Sequence, residues 1–237
     1  MADRFYFSGE LVPGVIELAG GESQHLSRVL RKQAGQRVML FDGRGREAEA
    51  EIVEIAKRSV RLRVLAIASA ESGSVAGLEL ATAVPKGDRL RWLVEKATEL
   101  GVARITPMRC ERSVVDPGAG KLEKMRQVVI EACKQSGRNR LMEIGEVVPF
   151  AECLRGDGPR LLADRLGSRT SVDSESLAGA ECVRVIVGPE GGFTSEETDL
   201  ARAAGAGRVS FGRHILRIET AGVAAAAWFA ARGVWES

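Results

Sequence analysis

The sequence predicts an α/β protein in two parts: a small β-rich unit, then a mainly parallel sheet covered by helices. Three observations predict it. Up to about residue 70 the apolar residues come in short alternating runs with one helical interruption. From Leu78 onward, strand-like runs alternate with stretches of helical period, which is how parallel strands with helical crossovers read. Finally, Val183 to Val187 runs through Gly188-Pro189-Glu190-Gly191-Gly192 into Phe193-Thr194-Ser195-Glu196-Glu197. That is a strand, a glycine-rich turn and a helix start, and in an open α/β sheet ligands sit at the carboxyl ends of strands.

In the first part, residues 1–70, strands are expected at Arg4–Phe7, Val15–Leu18, Arg37–Phe41, Glu47–Ile55 and Val60–Ile67, with Asp42-Gly43 as a hairpin signal. Several short strands with one helix suggest a small barrel. The helix, from about Ser23 to Arg31, would turn Leu26, Val29 and Leu30 inward and His25, Arg28, Arg31 and Lys32 toward solvent. Ser69 to Gly77 is small, polar and unpatterned, so residues 71–77 read as a linker.

The second part, residues 78–237, opens with a strand at Leu78–Val84 and a turn at Pro85-Lys86-Gly87-Asp88. Asp88 is expected to cap a helix from Arg89 to Leu100, in which Leu90, Leu93, Val94, Ala97 and Leu100 share one face. Gly101 would end it. A strand at Arg104–Met108, a helix at Lys121–Gln135 and a strand at Leu161–Ala163 ending on Asp164 follow. Val183–Val187 cannot pass Pro189 as a central strand, and Thr194 or Ser195 can cap the next helix, with Glu196 and Glu197 favoured in its first turn. A strand at Val209–Phe211 and an alanine-rich helix from about Glu219 to Ala231 complete the alternation.

Lys and Arg number 34 against 32 Asp and Glu, so overall charge selects no partner and only its distribution can. Cys110, Cys133, Cys153 and Cys182 are scattered without a Cys-x-x-Cys, and His25 and His214 are the only histidines. Neither a structural zinc site nor a disulfide framework is supported, and no metal is expected. Residues Met1 to Arg4 lack an apolar signal core and no apolar run reaches eighteen residues, which predicts a cytosolic protein. The glycine turn is neither a Walker A loop nor Gly-x-Gly-x-x-Gly, which excludes the usual nucleoside triphosphate and dinucleotide fingerprints. It serves equally well as a tight connection or as a close backbone approach to a flat ligand. Basic charge gathers between Lys121 and Arg140, where Lys121, Lys124, Arg126, Lys134, Arg138 and Arg140 face only Glu123 and Glu131. Such a stretch is either a solvated helix face or, joined to the basic helix of the first part, an RNA track.

Four ordered stretches resemble one family: Lys86-Gly87-Asp88-Arg89 with Glu95 to Val102, Glu131 to Arg140, Val187 to Phe193, and Phe211 to Ala221. His25 to Arg31 and Phe41-Asp42-Gly43 add to the match. Together they resemble the RsmE family of 16S rRNA uridine-N3 methyltransferases in the SPOUT superfamily. The resemblance implies a PUA-like β-barrel that binds RNA and an α/β domain with a deep trefoil knot. It also implies a homodimer, S-adenosylmethionine bound in the knot near the subunit interface, and a target uridine near the 3′ end of 16S rRNA in the small ribosomal subunit. Gly188, Pro189, Glu190, Gly191, Gly192, Gly212, Leu216 and Ile218, with Ala163 and Asp164 toward the ribose, are the expected cofactor-binding residues. Arg217 is expected to orient the uracil or stabilise its anion. Glu219 can accept the N3 proton or simply occupy a helix start. His25, Arg28, Arg31, Arg138, Asn139 and Arg140 are the expected RNA contacts. Two rivals stay open: a SPOUT methyltransferase acting on another RNA, and a non-catalytic RNA-binding assembly factor.

Overall fold

The computed structural model describes residues 3–69, 77–168 and 180–231. The linker expected at 71–77 falls outside them apart from Gly77. The described residues cluster into two compact units, one drawn from Met1–Gly73 with Cys133–Leu141, the other from Ser74–Ala132 with Met142–Ser237.

The first unit is a curled five-stranded sheet in the order β1-β3-β4-β5-β2. Its strands are β1 (Arg4–Tyr6), β2 (Gly14–Ala19), β3 (Arg37–Phe41), β4 (Arg46–Ile55) and β5 (Ser59–Ser69). All contacts are antiparallel except β1 with β3. The sheet has edges at β1 and β2, a half-barrel rather than a closed one. Alternation decides its faces: Ala48, Ala50 and Ile52 of β4 are buried and join Phe5, Leu40 and Leu62 in one core. The β3–β4 turn is built by Asp42. Its buried carboxylate accepts the amides of Arg44 (2.8 Å) and Arg46 (3.2 Å) and the Arg46 Nε (2.9 Å). Burial pushes that carboxyl upward, but the hydrogen bonds from Arg44 and Arg46 outweigh it and hold it below the usual value.

The helix between β2 and β3 departs from expectation. It is α-helical over α1 (Gly20–Gln24) and then π-helical over His25–Val29. The wider turn breaks the 3.6-residue stripe. Leu26 stays fully buried, but Val29 is 66% exposed and Leu30 is exposed as well, so neither is the core residue the periodicity implied.

The second unit is a seven-stranded sheet with every pairing parallel. Its strands are β6 (Gly77–Ala83), β7 (Arg104–Arg109), β8 (Glu143–Ile144), β9 (Val148–Pro149), β10 (Arg160–Ser168), β11 (Cys182–Val187) and β12 (Gly207–Val209). The order is β12-β10-β11-β6-β7-β8, with β9 also on β7. Every residue of β6 is buried, as a strand covered on both faces requires. The helices are α2 (Arg89–Glu99), α3 (Ala119–Ser136), α4 (Phe150–Cys153), α5 (Ser195–Ala203) and α6 (Ile218–Ala230). On one face Phe150 and Cys153 of α4 and Ala201 of α5 pack on Ala81, Leu162 and Ile186. On the other, α6 packs on α2, β6 and β11. Gly222 lets α6 come close: a Cβ there would lie 2.8 Å from Leu93.

Several details differ from the sequence expectation. β10 runs to Ser168 instead of ending at Asp164, and β8, β9 and α4 were not expected. Asp88 precedes α2 in a helical conformation (φ −76°, ψ −7°) and makes no side-chain cap. An extended residue is needed for the side chain to reach back to the first amides. The last strand ends at Val209, so Ser210 and Phe211 belong to the loop beyond it. The end of α3, from Cys133, and the loop to Leu141 cluster with the first unit.

Candidate active site

The carboxyl ends of β11 and β12 lie beside Ala163 of β10. Ala163 is paired with Val187 on one flank and Val209 on the other, and the β10 ladder breaks register there although the strand runs on to Ser168. The loops beyond them, with the first turn of α6, enclose a cleft of about 330 Å³. That volume suits a small organic ligand.

Each wall has a local cause. After β11, Gly192 takes a left-handed backbone (φ +69°) and its amide bonds to the Pro189 carbonyl at 2.8 Å, closing a turn. The Phe193 ring lies over Gly188, where a Cβ would stand 2.8 Å from it. Phe193 in turn packs against Phe150, ring centroids 5.4 Å apart. Thr194 starts α5 with a reciprocal capping box: the Glu197 amide donates to Thr194 Oγ1 (3.2 Å) and the Thr194 amide to Glu197 Oε2 (2.9 Å). The other Glu197 oxygen accepts the Glu111 amide at 2.9 Å, and Arg112 Nη1 donates to the Gly191 carbonyl at 2.8 Å. The loop after β7 thus braces the glycine turn. After β12, Ser210 donates to the Gly212 carbonyl (2.8 Å), which tightens the strand-to-loop corner.

Every residue assigned from sequence to the cofactor lines this cleft, from Ala163 and Asp164 through Gly188–Gly192 to Gly212, Leu216 and Ile218. Asp164 is also ion-paired with Arg208 of β12. Arg217 lies between two lining residues, but its own side chain is exposed and is not among them. Glu219, one residue into α6, is buried and is not among the lining residues either. Its Oε2 has no hydrogen-bond partner, and its Oε1 lies 3.7 Å from Arg89 Nη1. The same Arg89 nitrogen lies 3.7 Å from Glu190 Oε1. The cation facing both carboxylates is therefore Arg89, not Arg217. Sequence reasoning gave Arg89 no role, although it stands in one of the matched stretches. Ser210 and Phe211 were missed as lining residues because the strand was expected to run two residues further, and His214 and Ile215, beyond either strand end, were missed too. Among the described residues no group of His, Cys, Asp and Glu is arranged to hold a metal.

The residues expected to meet RNA all belong to the first unit. Arg28 and Arg31 are exposed, Arg31 with a left-handed backbone (φ +52°) where the Lys32 amide returns to the Leu26 carbonyl. His25 is half-buried, edge-on to Phe5 at 6.1 Å. The loop carrying Arg138 and Arg140 is tied to the β3–β4 turn: Gly45 donates to the Asn139 carbonyl (3.1 Å) and Leu141 to that of Gly43 (3.0 Å). Asn139 is buried, its side-chain oxygen taken by Arg4. It is placed to hold the loop rather than to read a base. Lys134, the last-turn cation of α3, pairs with Glu22 at 3.1 Å.

The comparisons with known proteins agree with this geometry. Residues 73–230 match the RNA methyltransferase domain and residues 18–65 the RNA methyltransferase PUA domain. Ribosomal RNA small subunit methyltransferase E of Synechocystis is 33% identical over 93% of this chain and 75% of its own. The chain belongs to this methyltransferase family. The family's member from Rickettsia conorii is 31% identical over 95% of this chain and 93% of its own. Among solved structures, a methyltransferase of Legionella pneumophila in complex with SAM superposes with a TM-score of 0.88 at 32% identity, covering 98% of both chains. The family's Neisseria gonorrhoeae member, bound to S-adenosyl methionine, gives 0.88 at 28% identity over 98% of both chains.

Proposed function

We propose that this protein transfers a methyl group from S-adenosylmethionine to N3 of one uridine of 16S rRNA in the small ribosomal subunit. The observation that carries the reading is the cleft: β11 and β12 end on either side of Ala163 in β10, and the residues assigned to the donor from sequence line the space beyond them together.

The donor supplies an electrophilic methyl on a sulfonium. The residues present suit it. Glycine backbone allows close approach, and Leu216, Ile218 and Phe193 add apolar lining. Uridine N3 carries a proton and is a poor nucleophile while it does, so the site must accept that proton or stabilise the anion left on O2 or O4. Arg217, exposed beside the cleft, is the group for the anion. Glu219 is the acceptor: a buried carboxylate oxygen without a hydrogen-bond partner is costly unless an incoming donor satisfies it.

The first unit presents the RNA. His25, Arg28, Arg31, Arg138 and Arg140 form its contact set, and phosphate contacts by Arg fix register without reading sequence. A PUA-like domain followed by a SPOUT domain is supported by the matched ranges 18–65 and 73–230; Gly77, expected in the linker, already opens β6. The trefoil knot is what the family resemblance implies for this sheet, in which β11 lies between β6 and β10 and α6 packs on β6 and β11. A homodimer fits the 78% exposure of Ile215 on a cleft loop, an apolar side chain that a second copy would cover. The place of action is the cytoplasm, where ribosomal subunits are assembled; no helix among the described residues is long and apolar enough to cross a membrane.

The test is nucleoside mass spectrometry of 16S rRNA from a deletion strain with and without the restored gene. Loss and return of 3-methyluridine is expected. Undiminished 3-methyluridine in the deletion strain would overturn the reading, and absence of heat with S-adenosylmethionine in calorimetry would favour a non-catalytic RNA-binding factor.

A further inference from the structure

The glycine turn sits between two arginines. Arg112 holds the Gly191 carbonyl (2.8 Å), and Arg89 faces the Glu190 carboxylate (3.7 Å). They differ in what else they hold. Arg89 Nη1 also faces Glu219, at the same 3.7 Å. At that length these are ion pairs, not hydrogen bonds. The guanidinium is not loose, because Arg89 Nε donates to the Lys86 carbonyl at 3.2 Å. That ties it to the turn after β6, where Gly87 has a left-handed backbone (φ +62°). One cation therefore joins three segments: the turn after β6, the loop after β11 and the first turn of α6.

The charges require such a joint. The Glu219 side chain is 8% exposed and that of Glu190 40%. Two carboxylates drawn to one point repel unless a cation lies between them, and a buried carboxylate stripped of its partner keeps its full desolvation cost. Lysine would supply the charge but not the fork that also reaches the Lys86 carbonyl.

We propose that Arg89 is a positioning residue of the methyl-transfer site: by a shared ion pair it holds the glycine-rich loop and the Glu219 carboxylate in one arrangement. The proposal rests on the cleft being the donor site. It separates two duties that Arg89 performs together. Neutralising Glu190 keeps the loop shaped for the donor. Pairing with Glu219 Oε1 keeps that carboxylate set, with Oε2 left over for the substrate proton.

The experiment uses the full chain and the variants R89Q, R89K, E190Q, E219Q, R89Q/E190Q and R89Q/E219Q. Donor affinity is read by calorimetry with S-adenosylmethionine, kcat with small ribosomal subunits, and folding by urea melts. R89Q should weaken the donor about tenfold and lower kcat about tenfold, the usual scale for a lost charge pair. R89K should fall between R89Q and wild type in both. R89Q/E190Q should regain most of the donor affinity, because the repulsion is gone, but not kcat, because Glu219 still lacks its cation. Wild-type values in R89Q overturn the proposal, as does recovery of both quantities in step with stability in the double variant. Should R89Q fail to fold, R89K carries the test, and wild-type affinity and kcat in R89K overturn it. The two readings fail differently. A wild-type protein that gives no heat with the donor removes the site assignment. Absence of coupling between R89Q and E219Q in donor-free melts removes the role of Arg89.

Discussion

The two units use charge in opposite ways. In the curled sheet of the first, ion pairs lie across exposed strand faces. Arg37 with Glu49 (3.1 Å) and Arg61 with Glu54 (3.1 Å) are open to water, where such pairs contribute little. Among the described charged residues of the first unit Asp42 alone is fully buried, bound by its own turn, while the pairs Arg4–Glu47 and Lys134–Glu22 are part-buried. In the parallel sheet of the second, charge goes inside. Glu79 of β6 accepts Thr106 Oγ1 (2.5 Å) and Arg184 Nε (2.8 Å), and Arg184 also caps the carbonyls of Cys153 (2.7 Å) and Arg155 (2.8 Å). A surface ladder can change residue by residue with small effect, which suits a face that meets a large irregular RNA. A buried network fixes how strands and connections sit, which suits a site that must hold reacting atoms in place.

That contrast can be broken first at Arg184. Arg184→Ala leaves Glu79 buried without its cation and should destabilise the second unit by about 3–5 kcal/mol. Urea unfolding followed by Trp fluorescence should show it, since Trp92 and Trp228 lie in that unit. A change below 1 kcal/mol would mean the network does not hold the sheet. Arg217→Ala comes next. It should lower kcat by about 10²–10³-fold, the usual cost of losing one donor to a developing anion. Donor affinity should change less than about threefold, because the side chain lies outside the cleft lining. Unchanged methylation of small subunits would remove Arg217 from the chemistry.

Asp42→Asn tests the one buried charge of the first unit and should cost about 1–3 kcal/mol at pH 7. The sign with pH follows from its depressed folded value. The contribution is complete above the unfolded value near pH 4 and disappears as pH falls through the folded one. Melts of the two proteins should therefore converge toward pH 2. A gap that stays constant with pH would assign the loss to packing. The smallest effect is expected on the surface. Arg138→Glu should weaken small-subunit binding a few-fold and lower the slope of log affinity against log salt by about one contact. An unmoved affinity would place the RNA on another face.

Much of this was legible in the residues, for reasons that are local. β11 is a β-branched run closed by Pro189, and a strand covered on both faces reads that way whatever surrounds it. Thr194 and Glu197 announce their capping box three residues apart. Gly101 ends α2 in the left-handed conformation expected of it (φ +84°). Other features were hidden. The π-helical turn at His25–Val29 has no period of its own, so Val29 and Leu30 read as core and are not. Asp88 has the residue type of a cap but not its backbone.

Sequence by itself determined most strands, though not β8, β9 or the second half of β10, most helix limits and the side chains that could meet in the cleft, because period, caps and turn residues act over a few positions. Tertiary structure alone decided which charges meet. It brought Arg89 between Glu190 and Glu219, which are separated from it by most of the unit's length, and set the Arg138–Arg140 loop with the β3–β4 turn instead of with the sheet that follows it. Ion pairs between distant segments depend on strand order and crossover direction, and no local pattern records those.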